Sequence, residues 1–337
     1  MEQELLVPGK RHFHQAIYYN HQLFILGGLV RDQENYQYIN DGLHIYDFIE
    51  KEWNTINLIK QPPPIACMTM TLIKERESMV VIGGKTTGRK VLNTTWEFSL
   101  RECQWTKTTD FREGRINHAA VCVYPYIYVY GGVDGKGSRR SEMKAYHVEK
   151  QEWKKIKEKD KDSRPSCRSR HSMVYYNGDL IVFGGRRQHV DNNELHAFSL
   201  SKKCWRPLES HNPPVPRSAH TALVVNDNMV VYGGFGYMHL RDLHHYHFLT
   251  QQWQEIQLCP RPMGRNGHSM TLRWPTRHES DQLAKLVVFG GFTELRGSTN
   301  EFFDLPINDR RVTHRRSCLA FQCALRNLMD DFFDVLV

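Results

Sequence analysis

No two of the eight cysteines stand as C-x-x-C; they fall singly at positions 67, 103, 122, 167, 204, 259, 318 and 323. That spacing argues against the common zinc sites. No stretch approaches the roughly 18 consecutive apolar residues that a bilayer-spanning helix needs. The opening residues, MEQELLVPGK, lack the basic start and apolar segment of a secretory leader. These absences lead us to expect a soluble chain of a reducing compartment, cytoplasmic or nuclear, with free and buried thiols. A strong charge of one sign is also missing: 45 Lys and Arg against 37 Asp and Glu leave a net +8. So moderate an excess supports solubility and favours an acidic partner only weakly. The basic runs KKIKEKDKDSR and DRRVTHRR are interleaved with acids or sit at a domain edge. They read as solvated turns, the second also as a nuclear-import candidate, and neither a nucleic acid nor a membrane is the expected partner.

What is present is a repeat. Gly doublets begin at residues 27, 83, 131, 184, 233 and 290, with spacings of 56, 48, 53, 49 and 57 residues. A period near 50 marked by GG predicts one four-stranded propeller blade per repeat. A second register agrees: Tyr46, Phe98, Tyr146, Phe198 and Tyr246 each stand seven residues before a Trp, at 53, 105, 153, 205 and 253. The polar segment between them reads as a hairpin turn. A third register is R-x-x-H, at Arg11/His14, Arg115/His118, Arg168/His171, Arg217/His220 and Arg265/His268. The second unit departs from it, and its PIAC is read as placing Pro64 and Cys67 there. The segment after R-x-x-H is strand A, the run into GG is B, the segment around Tyr/Phe is C, and the Trp strand is D. The expected fold is all-β: six blades of four antiparallel strands over residues 1–312, with a short C-terminal helix over 313–337.

GG with an aromatic-x6-Trp pair resembles the kelch-repeat β-propellers over about residues 10–312. The sixth unit is irregular, with Leu305 and Val312 at the aromatic and Trp positions. Residues 3–7 are therefore expected to supply its outer strand and lock the ring. The loop RWPTRHESDQLAK lengthens its A–B hairpin.

Residues present once per blade, such as Arg and His of R-x-x-H, are expected to hold blades together. His245 and His247 share a face of one strand without an evident third ligand, so no metal or cofactor is expected. In the kelch family one channel rim is built by residues after GG and inside R-x-x-H. By that resemblance the post-GG rim residues are Arg31, Lys85, Asp134, Arg186, Arg187, Phe235, Tyr237 and Thr293. Those inside R-x-x-H are His12, Phe13, Asn117, Ser169, Arg170, Ser218 and Asn266. Five basic residues and one acidic residue, with Phe and Tyr beside them, suit an acidic peptide or a free C-terminal carboxylate.

Beyond the repeat, Leu325, Leu328, Met329, Phe332 and Leu336 recur at helical spacing. SCLAFQCAL resembles the elongin-C-binding box, with Leu319 and Cys323 matching and Leu328 one place beyond the position where an apolar residue belongs. Kelch substrate receptors of cullin-RING ubiquitin ligases share this layout, which implies elongin B/C and a cullin as partners. The expected function is thus a non-catalytic adaptor. The alternatives are a kelch scaffold for a cytoskeletal or chromatin partner and a kelch-like metalloenzyme.

Overall fold

The computed structural model of the chain describes residues 7–307, apart from 33–34, 40, 161–162, 276–278 and 280–282. In each of the first five repeats four strands pair antiparallel in the order in which they occur. Blade 1 is built from Gln15–Tyr19, Gln22–Leu26, Leu43–Asp47 and Glu52–Ile56. Blade 4 repeats the plan with Ser172–Tyr176, Asp179–Phe183, Leu195–Ser199 and Cys204–Pro207. In blade 6 three strands are described: Ser269–Arg273, Lys285–Phe289 and Phe302–Pro306. Leu305, at the aromatic position, pairs with Leu286 and is buried. Val7 is exposed and outside any strand, while residues 3–6, Val312 and the tail 313–337 lie outside the described residues.

Two-residue turns with left-handed backbone at both positions, Asn20–His21 and Asn177–Gly178, close the first hairpin of blades 1 and 4. This geometry matches the twist of paired strands. The long loop of blade 6, between Arg273 and Lys285, replaces such a turn.

The apolar core is distributed between blades. Six clusters correspond to six blade interfaces, from Phe24 with Met79 and Trp105 to Leu23 and Ile25 with Val287 and Phe289. Each Trp wedges towards the preceding blade. Trp205 lies 4.8 Å from Tyr130, Trp253 4.8 Å from Phe183, and Trp53 5.9 Å from Phe289 across the first–last junction. Such tilted aromatic contacts add to the area they bury.

The Gly doublet has a specific task at these interfaces. Gly83 has φ +64°, and a Cβ there would stand 2.3 Å from the Arg115 carbonyl oxygen of the next blade. Any side chain would force the blades apart. The second Gly of each doublet donates to that carbonyl: Gly84 to Arg115 and Gly28 to Ile65 at 2.8 Å, through to Gly291 to Arg11 at 2.9 Å. This sixth bond joins the last blade to the first.

The same bonds correct the reading of the second unit. Ile65 and Met68, not Pro64 and Cys67, occupy the Arg and His positions, because Ile65 receives the bond that Arg115 receives one blade on. The thiol expectation is also corrected: among the described residues the cysteines are free, but Cys103 and Cys259 are exposed and the other four half-buried.

Candidate functional site

The R-x-x-H residues are scaffold. Arg11, Arg115, Arg168, Arg217 and Arg265 are each buried, with one guanidinium nitrogen donating to the first Gly carbonyl of the same blade at 2.8–3.1 Å. Each also meets an acid that precedes strand C: Asp41, Glu142, Glu194, Asp242 and Glu301. Buried charges persist only when paired in this way.

The histidines form a ring one layer in. Nε2 of His14, His118, His220 and His268 lies 2.9 Å from the first hydroxyl of the preceding blade's inner strand, on Ser269, Thr69, Ser172 and Thr221. Burial, then the neighbouring Arg, pushes His118, His171 and His268 down to about 3, so they are neutral. His171 differs: the inner strand before it starts with Ala119, and among the described residues its Nε2 has no hydrogen-bond partner. Ala119→Ser restores the missing hydroxyl. It is expected to raise the free energy of unfolding by about 0.5–1.5 kcal/mol, read by urea denaturation.

The residue before each His, and Cys67 before Met68, lines the mouth of the channel. Phe13, Cys67, Asn117, Arg170, Ala219 and Gly267 all have φ between 52° and 61°. Their amides close a ring of backbone bonds: Phe13 to Gly267, Cys67 to Phe13, Asn117 to Cys67, Arg170 to Asn117, Ala219 to Arg170 and Gly267 to Ala219, at 2.7–3.0 Å. Left-handed backbone in five non-Gly residues is strained. The ring holds those side chains around one opening.

A cleft of about 550 Å³ opens from this ring over blades 1 to 3. Phe13, His12, Tyr36, Tyr38, Cys67, Lys85, Arg89, Asn117 and Arg170 contribute to its wall. Arg170 reaches in from blade 4 and its guanidinium sits 5.3 Å from the Phe13 ring centroid. Among the described residues Lys85, Arg89 and Arg170 meet no carboxylate, and no acid lines the cleft. His12 is neutral, pushed down to about 4 by burial and by Arg170 and Arg31. The cleft therefore combines unpaired cations with aromatic faces. A larger cavity of about 940 Å³ opens on the opposite face between blades 1 and 6, but its Arg273 is held by Asp304 and Glu279.

Of the rim residues expected from sequence, the cleft gathers His12, Phe13, Lys85, Asn117 and Arg170. Arg31 lies beside it, 5.8 Å from the Tyr36 ring centroid. Arg187 and Tyr237 are exposed on other blades, and Arg186 donates to the His189 carbonyl. Phe235 and Asn266 are half-buried, each against His239. Ser169, Ser218 and Thr293 are buried. Asp134 is corrected from a rim acid to a turn anchor: it is buried, accepts the amides of Lys136 and Ser138 at 2.9 Å, and pairs with Arg140. Leu319, Cys323 and Leu328 lie outside the described residues. Tyr36, Tyr38, Cys67 and Arg89 were not anticipated. The alternation in NYQY and the shared position of Cys67 with Asn117 and Gly267 were the signals available. His245 is buried against Asn228, and His247 receives the Thr250 amide, so these two serve different neighbours. Among the described residues no three His, Cys, Asp or Glu side chains are grouped to hold a metal.

The chain is similar in sequence to parts of several known proteins. The leucine-zipper-like transcriptional regulator 1 homolog of Drosophila melanogaster is 25% identical over 245 residues, covering 67% of this chain and 24% of the relative. Kelch domain-containing protein 2 of Bos taurus is 26% identical over 237 residues, covering 59% of this chain and 54% of the relative. Kelch domain-containing protein 3 of Bos taurus is 25% identical over 236 residues, covering 65% and 59%. The matches thus span between a quarter and three-fifths of these relatives' lengths. The Attractin/LZTR1 beta-propeller family profile matches residues 1–235 and again 127–304, and with six GG-marked blades behind that match the chain belongs to this kelch-type propeller family.

Proposed function

We propose that this chain is a non-catalytic protein-interaction module whose cleft over blades 1 to 3 captures an acidic peptide or a free carboxyl end. One observation carries the reading: Lys85, Arg89 and Arg170 converge beside Tyr36 and Phe13 with no carboxylate of their own. Unpaired cations in a concave, partly desolvated site attract carboxylates more strongly than cations on an open surface. Arg at two of the three positions adds a planar fork that a carboxylate can meet with two bonds. The kelch relatives support an interaction role at the level of fold. The finer proposal is that the module serves as substrate receptor of a cullin-RING ubiquitin ligase, with Leu319, Cys323 and Leu328 engaging elongin C. It rests on the SCLAFQCAL resemblance.

The test is affinity purification from cells of three versions: the full chain, Leu319→Ala with Cys323→Ala, and Lys85→Glu with Arg89→Glu. The full chain is expected to bring down elongin B/C, a cullin and further proteins. The tail variant should lose only the first two, and the cleft variant only the others. Recovery of the same cleft-dependent proteins without elongin from the full chain would make the protein a kelch scaffold instead. A cleft variant with unchanged partners would overturn the capture reading.

A further inference from the structure

The cleft does not end at blade 1. Half-buried aromatic rings continue from it along the rim of blades 1, 6 and 5. His12 lies 5.2 Å from Phe13 and 5.3 Å from Phe292. Phe292 lies 5.6 Å from His239, and His239 lies 5.3 Å from Phe235. Each of Phe292 and Phe235 is the first residue after a Gly doublet, bridged to Asn266 and Ser218 of its own blade. The strip is therefore fixed by the same backbone pairing that fixes the mouth. Beside it, the hairpin tips of blades 5 and 6 leave Tyr237 96%, Met238 63% and Leu295 81% exposed. Single exposed apolar residues are ordinary, but three beside a continuous aromatic floor form a patch. Arg31 sits at the junction, 5.8 Å from Tyr36 and 5.9 Å from Phe292, so the cationic cleft and the aromatic strip meet without a gap.

We propose that this strip is a second subsite of the same ligand. The peptide is amphipathic: its carboxylates enter the cleft of blades 1 to 3, and a large apolar side chain about five residues away lies on Phe292, His239 and Phe235. This rests on the capture reading above and deepens it. The continuity of the two surfaces selects one peptide over two separate ligands. The steps of 5.3, 5.6 and 5.3 Å from Phe235 to His12, at the edge of the cleft, span at most about 16 Å, which an extended chain covers in about five residues at roughly 3.3 Å each. Aromatic anchors of this kind dominate the energetics of small interfaces. Charge at one end and apolar contact at the other also fix the direction of the bound chain.

The experiment is selection from a random twelve-residue peptide library displayed with free carboxyl ends, panned on the full chain and on three variants. The variants are Phe235→Ser with Phe292→Ser, Tyr237→Ser with Leu295→Ser, and Lys85→Glu with Arg89→Glu. The second pair alters exposed side chains only, so it reports on the strip even where the first pair disturbs the blades. The full chain should enrich peptides pairing acids or the free carboxyl with a large apolar residue about five places away. Both strip variants should bind those peptides at least fivefold more weakly while still preferring acids. Enrichment of acidic peptides without an apolar preference would overturn the second subsite and leave the cleft reading intact. Enrichment of no acidic peptide at all would overturn both.

Discussion

Arg217→Ile is expected to lower the free energy of unfolding by about 3–5 kcal/mol, measured by urea denaturation. The Arg217 guanidinium is fully buried. It donates to the Gly233 carbonyl at 3.1 Å and to the two Asp242 oxygens at 3.0 and 2.8 Å. Removing it takes a donor from the Gly233 and Val215 carbonyls and leaves a half-paired carboxylate that, among the described residues, keeps His244 at 2.9 Å. Burial alone would raise the Asp242 carboxyl; the bonds from His244 and Arg217 outweigh it and hold the group well below the usual carboxylate range. A depressed folded-state value means that this stabilisation is complete above the ordinary Asp value of about 3.9 and fades as pH falls below it. The cost of Arg217→Ile should therefore be full at pH 7 and smaller at pH 3.

Blade 2 supplies the control. There Ile65 replaces the Arg, and Thr94 stands where Asp242 stands, its carbonyl accepting the Gly83 amide as Asp242 accepts that of Gly233. The chain thus holds one blade without the ion pair. Arg217→Ile combined with Asp242→Thr is expected to recover at least half of the loss, because an uncharged pair leaves no buried carboxylate without its cation. A double variant no more stable than the single one would show that the pair is not the energetic unit.

Lys85→Glu with Arg89→Glu is expected to weaken binding of an acidic peptide at least a hundredfold, about 2.8 kcal/mol at 1.4 kcal/mol per tenfold. Both side chains lack a carboxylate partner among the described residues, so reversing them breaks no internal pair. Stability should stay within about 0.5 kcal/mol, as for other surface substitutions. Loss of binding with preserved stability separates a role in recognition from one in folding. Weakening of less than tenfold would place the ligand's charge elsewhere.

The blades were legible because each register has its own physical cause. GG marks a place where no Cβ fits beside the neighbouring carbonyl, as at Gly83. The Trp marks the wedge between sheets, as Trp253 against Phe183. The repeated Arg and His were readable as scaffold because function seldom needs the same group in every blade. The second unit was misplaced by one residue because PPPIAC offers neither Arg nor His, and only the Gly28 to Ile65 bond sets its register. The site was half legible. Lys85, Phe13 and Asn117 stand close to a repeat landmark, and the cleft gathers them. Tyr36 and Arg89 belong to hairpins of differing length after the doublet, Leu29–Asp32 with Asn35–Tyr38 in blade 1 and a 3-10 turn at Thr87–Arg89 in blade 2. A count from the doublet cannot place such residues, because the fold-back of each loop decides where they end. Asp134 stood at a rim position by count, yet the amides of its own turn turn it inward.

On the proposed function, the cleft over blades 1 to 3 reads negative charge on a peptide. The direct measurement is fluorescence anisotropy with peptides recovered from the display selection. Each is synthesised in its selected form and in a form with Asp and Glu changed to Asn and Gln and the carboxyl end amidated. Binding of the neutral form should be at least tenfold weaker, and binding of the charged form should weaken as salt is raised. Equal binding of the two forms, insensitive to salt, would contradict it.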